Sequence, residues 1–295
     1  MSDAVVIPPG AGDVITDRAG RRVEILSDHD LAHVTWSRYE AAERGPDPHV
    51  HRRHADAFFV LTGTLTARVG ADGRRVDAAA GTLVVVPPLV IHSFSNEGPG
   101  RLCFLNVHAP GGGFARYMRG VRDGRRVAYD IDDPPADGGR DPGSVVAGQA
   151  EVVADRDGLY VALLADVDEL AVAEVRSAPD GAAAPAHVHR EHAEGFWVLE
   201  GELTFTLAGD ELQAGPGTWV LVSPGTAHTF AVTGPGTARF LDLHAPSRGF
   251  AAFVRALHAA RDEDELQAAR ARFDQVLAPP AGAPSRPAKP ASGSA

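Results

Sequence analysis

One cysteine, Cys103, stands in 295 residues. An intrachain disulfide is therefore impossible, and metal or cluster sites built from several thiolates of one chain are excluded. Basic residues are also short: 28 Lys and Arg face 39 Asp and Glu, a formal charge of −11. That deficit argues against nucleic acid and anionic membranes as partners. No apolar run reaches the roughly 18 residues of a membrane-crossing helix. The start, MSDAVVIPPG, lacks the basic-then-apolar pattern of a secretion signal. The expectation is a cytoplasmic protein, monomer or homodimer. Hydrophobic residues at 44% and charged residues at 23% are ordinary for a folded chain that buries a large core.

What the sequence does contain is one unit written twice. Pro48-His49-Val50-His51-Arg52-Arg53-His54-Ala55-Asp56 returns as Ala186-His187-Val188-His189-Arg190-Glu191-His192-Ala193-Glu194, and His108-Ala109-Pro110 returns as His244-Ala245-Pro246. Each tripeptide is followed by a Gly-Phe pair, Gly113-Phe114 and Gly249-Phe250, that opens a helix-like stretch. Short runs separated by glycines predict strands in both copies. In the first these are Val34–Arg38, Ala57–Leu61, Leu65–Val69, Thr82–Val86, His92–Ser95 and Leu102–Val107. The second repeats them from Val172 to Leu243. The predicted organisation is a first domain over 1–125, a Pro/Gly/Asp-rich linker over 126–146, a second domain with a terminal helix over 147–278, and a disordered Pro/Ala/Ser tail over 279–295. Asp130–Asp141 reads as linker or lid, and Asp262 and Asp264 as helix caps.

The histidines are spaced to hold a metal. Side chains alternate along a strand, so His49 and His51 share a face; Asp56 follows after a turn, and His92 sits on a later strand. His187, His189, Glu194 and His228 repeat the set. Three imidazoles and a carboxylate suit a divalent Fe, Mn, Ni, Co, Cu or Zn ion, up to two per chain, with open positions for a substrate and a second small molecule. Phe94 and Phe230 share the face of His92 and His228, and Val86 and Val222 alternate inward, so these four, with His108 and His244, are candidate pocket residues. His54 and His192 fall in a turn and read as solvated, as do Arg116 and Arg119 on their helix.

Both copies resemble the cupin superfamily. The second carries a complete first motif in Gly181, His187, His189, Glu194 and Gly201, and a second motif in Gly217, Gly225 and His228, with Ser223 for the usual proline and Val232 for asparagine. The first carries His49, His51, Gly63, Gly81, Pro87, His92 and Asn96, and departs at Glu43 and Leu89, both for glycine, and at Asp56, for glutamate. The resemblance implies an all-β bicupin: two tandem jelly-roll barrels, each with a metal at its mouth, and short C-terminal helical segments. Among cupins it is similar to quercetin 2,3-dioxygenase-like proteins. That likeness implies a metal-dependent dioxygenase acting on a small aromatic or enolic substrate with dioxygen, Glu194 and Asp56 serving as ligands and bases. A decarboxylase or isomerase acting on a small oxyacid, and a non-catalytic ligand-binding bicupin, are the alternatives.

Overall fold

A computed structural model describes residues 4–179, 181 and 184–278; the predicted tail over 279–295 lies outside them. Each repeat folds as two packed antiparallel sheets. In the first, a seven-stranded sheet runs in the order Val146–Ala147, Leu83–Val86, Ala55–Thr62, Leu102–Ala109, His33–Tyr39, Arg21–Asp28, Asp13–Arg18. It faces a three-stranded sheet of Arg74–Ala79, Thr64–Val69 and His92–Ser95. The second repeat has the same arrangement. Its seven-stranded sheet runs Ala4–Ile7, Trp219–Val222, Ala193–Glu200, Ala238–Ala245, Ala171–Ser177, Leu159–Asp166, Glu151–Arg156, opposite a five-stranded sheet that includes His228–Val232 and His187–Val188.

The β-rich, cupin-like fold with helices at the C-terminal end is therefore observed. The expected closed barrels are not: among the described residues no sheet closes on itself, and each repeat is two open sheets packed face to face. The edge strands cross over between repeats. Ala4–Ile7 pairs with Trp219–Val222 of the second repeat, and Val146–Ala147 pairs with Leu83–Val86 of the first.

Alternation along the strands builds the cores. Phe58, Phe94 and Phe104 pack together inside the first repeat, and Phe196, Phe205, Phe230 and Phe240 inside the second. The opposite faces of the large sheets meet in a third cluster, where Phe59, Leu83 and Leu105 of one repeat join Trp197, Trp219 and Leu241 of the other. Burying apolar side chains on both faces of both large sheets makes the two repeats one packed body.

Helices follow each repeat: Phe114–Arg122 after the first, Phe250–Ala259 and Glu263–Arg272 after the second. Asp262 caps the last one, accepting a hydrogen bond from the Glu265 N–H at 2.9 Å. Arg119, expected on a solvated face, instead donates to Asp13 at 2.7 Å and Asp28 at 2.6 Å, tying its helix to the neighbouring strands. Among the described residues, no helix is long and apolar enough to cross a membrane.

Candidate metal centres

The fold brings each predicted ligand set together. The donor atoms of His49, His51, Asp56 and His92 lie within 4.8 Å of one another, as do those of His187, His189, Glu194 and His228, and all eight side chains are buried. Sheet register does the positioning. His187 stands opposite His228, and His49 bridges His92, so two imidazoles from distant segments meet across one ladder. Asp56 and Glu194 enter from the large sheet, opposite Val86 and Val222.

The protonation pattern of the six imidazoles shows what they are built for. His49 Nδ1 donates to the Asp47 carbonyl at 2.8 Å, His92 to Val90 at 2.9 Å, His187 to Pro185 at 2.7 Å and His228 to Thr226 at 2.9 Å. His51 and His189 donate in the same way to the carbonyls of Asp130 and Asp274. A carbonyl only accepts, so in each neutral ring Nδ1 carries the hydrogen and Nε2 is left as a bare lone pair. Those lone pairs converge on more acceptors. His187 Nε2 lies 3.2 Å from His189 Nε2, and Glu194 Oε2 is 3.1 Å from His189 Nε2 and 2.5 Å from His228 Nε2. Acceptor facing acceptor in a dry interior is repulsive unless a cation sits between them. Donors held about 2.1 Å from one ion at right angles are ~3 Å apart; the second centre shows 2.5 to 3.2 Å, and in the first Asp56 Oδ2 lies 3.3 Å from His92 Nε2 and 3.8 Å from His51 Nε2. The residues present thus fit a divalent metal at both centres.

Without a metal, protons take over part of that role: burial opposes a charge on His228, but Glu194 beside it raises its pKa. Burial works against ionising the Glu194 carboxyl, but His228, His187 and His189 outweigh it and hold its pKa well below the usual range. Burial likewise opposes ionisation of Asp56, and His108, His51 and His92 overcome it. Burial, with His92 and His51 alongside, pulls His49 down to about 3, keeping the ring neutral and able to bind a metal.

The two centres differ beside the carboxylate. Asn106 donates from its amide to Asp56 Oδ1, occupying that oxygen. In the same place in the second repeat stands Asp242, 3.1 Å from His244 Nε2. Burial, and then the charge of Glu194, pushes its pKa well above the ordinary carboxyl value. Two buried carboxyls of opposite tendency thus stand side by side, Glu194 favouring its ionised form and Asp242 its protonated one.

Each centre opens into a cavity. The second, about 280 Å³, is walled by Val161, Val175, Phe230, Phe250 and Phe253, with Asp242, His244, Arg156 and Arg270 among its polar groups. The first, about 250 Å³, includes Phe94, Asn106, His108 and Phe114. Of the candidate pocket residues, Phe94, His108, Phe230 and His244 line these cavities. Val86 and Val222 do not; both are packed into the cores of their repeats.

His54 and His192, expected to be solvated, are buried. His54 Nδ1 donates to Asp130 at 2.9 Å and His192 Nδ1 lies 3.1 Å from Asp274 without hydrogen-bond geometry; the two rings face His108 and His244 at 3.0 and 2.9 Å. The sequence reading missed these aspartates as site residues. Their signal was present but faint, an aromatic-Asp pair after each repeat, Tyr129-Asp130 and Phe273-Asp274.

The cupin-domain sequence profile matches residues 35–108 and 173–244, one match in each repeat. No curated protein matches the chain in sequence. Among solved structures, it is similar to Lactobacillus farciminis oxalate decarboxylase in its formate complex, at 12% identity and TM-score 0.58 over 82% of this chain and 86% of that one. A deletion variant of Bacillus subtilis oxalate decarboxylase is similar at 17% and 0.59, over 84% and 78%. Protein Ylba of E. coli is similar at 12% and 0.59, over 83% and 91%. These neighbours overturn the expectation of an oxidoreductase: the enzymes among them are decarboxylases, which are lyases, and the likeness to quercetin 2,3-dioxygenase-like proteins finds no support in them. The physical reason is that three imidazoles and a carboxylate set the charge and geometry of a metal, not the reaction run on it.

Proposed function

The chain belongs to the cupin superfamily as a tandem bicupin, and on that footing we propose that it is a metal-dependent lyase that removes CO2 from a small oxyacid. The observation that carries this reading is the buried carboxyl of Asp242, which stands where the first centre has Asn106, next to Glu194 and His244 in a cavity that also holds Arg156 and Arg270. The decarboxylase neighbours support it as likeness of fold.

A divalent metal on His187, His189, Glu194 and His228 would supply a Lewis acid for an oxygen of the substrate. Arg156 and Arg270 line the same cavity and suit an anionic acid, while Val161, Val175, Phe250 and Phe253 exclude water from its body. When the carbon–carbon bond to the carboxylate breaks, CO2 leaves and the electron pair stays on the remaining carbon. That carbon takes the carboxyl proton of Asp242. Beside it His244 Nδ1 and His192 Nε2 share a hydrogen bond of 2.9 Å, while Asp242 lies 3.1 Å from His244 Nε2 without hydrogen-bond geometry, so the proton is replaced from water. In the first repeat the amide of Asn106 has no such proton to give, so the second repeat carries the chemistry and the first is a metal-binding structural partner.

The test is CO2 release from oxalate and from 2-oxo and 2-hydroxy acids by protein loaded separately with Mn, Co, Ni, Fe, Cu and Zn. We expect release from at least one acid without net oxygen uptake. Asp242→Asn should lower kcat by ~10²-fold or more at unchanged metal content. Metal-loaded protein inert toward every acid would sink the reading, and an Asn variant as fast as the wild type would remove Asp242 from it.

A further inference from the structure

Four of the six imidazoles receive their Nδ1 acceptor from a carbonyl two residues upstream in the same loop: Asp47 for His49, Val90 for His92, Pro185 for His187 and Thr226 for His228. Any chain that folds the loop orients those rings. The second histidine of each His-x-His pair is different. His51 depends on the carbonyl of Asp130, 79 residues away, and His189 on that of Asp274, 85 residues away.

The segments that bring those carbonyls are built alike. Each follows the helices of its repeat and returns to the metal loop. The Asp130 carboxylate accepts hydrogen bonds from the N–H groups of Arg52 and Arg53, at 3.0 and 2.8 Å, and from His54 Nδ1 at 2.9 Å. The Asp274 carboxylate accepts from the N–H groups of Arg190 and Glu191, at 2.9 and 2.7 Å, and meets His192 Nδ1 at 3.1 Å. Two residues on, Asp132 pairs with Val50, and Val276 with Val188, each extending the strand that carries the histidines. The residue before each aspartate, Tyr129 or Phe273, packs against the buried pair His54 and His108 or His192 and His244. The same set of contacts is kept in both repeats although the segments that make them are otherwise unlike in sequence.

We propose that Asp130 and Asp274 are positioning residues of straps that complete the metal centres: docking of the strap fixes the tautomer and direction of His51 or His189, so tight metal binding and strap docking are one coupled event. The carboxylate is the clasp. It ties the strap to the loop between the His-x-His pair and the acidic ligand, and the neighbouring carbonyl then orients the ring. Coupling is reciprocal, so a bound metal must in turn hold the strap down. Loss of a group that orients a ligand histidine typically weakens metal binding 10–100-fold.

The full chain, stripped of metal and titrated with Co2+ against a chelator, tests this by affinity and by the visible absorption of the bound ion. Wild type should take up two equivalents. Asp274→Ala should weaken one of them 10–100-fold and alter its spectrum while sparing the other. Asp130→Ala should do the same at the opposite centre, and Asn at either position, which keeps an acceptor for the loop N–H groups, should recover part of the affinity. Hydrogen exchange of the wild type needs no variant and covers the case in which an Ala variant fails to fold: the amides of 129–132 and 273–277 should slow when metal is added. Two wild-type affinities with unchanged spectra in folded Ala variants would overturn the proposal. So would strap amides in the wild type that exchange equally fast with and without metal.

Discussion

His33 is buried at the start of its strand, with Phe114 packed edge-on at 4.7 Å and neither ring nitrogen hydrogen-bonded within the described structure. Burial, aided by the charge of Arg119, lowers its pKa from 6.5 to about 3. A depressed pKa contributes stability that is complete above 6.5. Below that pH the unfolded chain takes a proton that the folded chain refuses, and the contribution is lost progressively toward pH 3. At pH 5 this one residue costs roughly 2 kcal/mol. His33→Leu removes the titration and two unpaired buried nitrogens. Metal-free protein carrying it should therefore lose less Tm than wild type between pH 7 and pH 5; equal losses would show that His33 is not the group responsible. The ligand histidines were easier to read from sequence than this one, because they recur in matched pairs whereas the position equivalent to His33 in the second repeat is Ala171.

At the scale of single elements, strands whose apolar residues alternate were legible, and strands that carry charge were not. Asp13–Arg18 and Arg21–Asp28 form a hairpin rich in ions. There Arg22 bridges Asp17 and Glu24 at 2.5 and 2.7 Å, so the charges are satisfied along the ladder. Asp130–Asp141 read as a linker or lid, yet its first residues are a strap bonded into the first centre, a role set by partners nearly eighty positions away. One departure from the cupin pattern has a local consequence. Leu89 stands where glycine is usual and adopts φ +68°, while its counterpart Gly225 has φ +86°. Both N–H groups donate at 2.7 Å to the second histidine of the pair, His51 and His189, so the turn is retained despite the side chain. Leu89→Gly should raise stability by about 1 kcal/mol by relieving the left-handed backbone, as read by the urea midpoint. A lower midpoint would mean that the leucine side chain contributes more packing than its backbone costs.

Across the whole molecule, the two repeats are held by their apolar sheet faces and by the exchanged edge strands. Trp219 lies at the centre of both devices. It is fully buried in the cluster shared by the repeats, it pairs with Ile7 of the N-terminal strand, and its ring closes over Gly195, where an added Cβ would come within 2.4 Å. Trp219→Ala should cost ~3–5 kcal/mol and split a single thermal transition into two, one per repeat, in calorimetry. A variant that still melts in one step would show that the exchanged strands alone couple the repeats.

The duplication, the β-rich class and the two sets of metal donors were all present in the order of residues. Each rests on local regularities: a repeated string, a period of two along a strand, a turn of fixed length before the acidic ligand. Open sheets in place of closed barrels, the exchanged edges, the burial of His54 and His192, the straps and the raised pKa of Asp242 depend on which distant segments lie side by side. Hydrogen bonding and burial act through space, and a pKa follows its surroundings, so no spacing along the chain could supply them. The same holds for the chemistry: the donor set was legible, while the raised pKa of Asp242 follows from folding, which buries it beside Glu194.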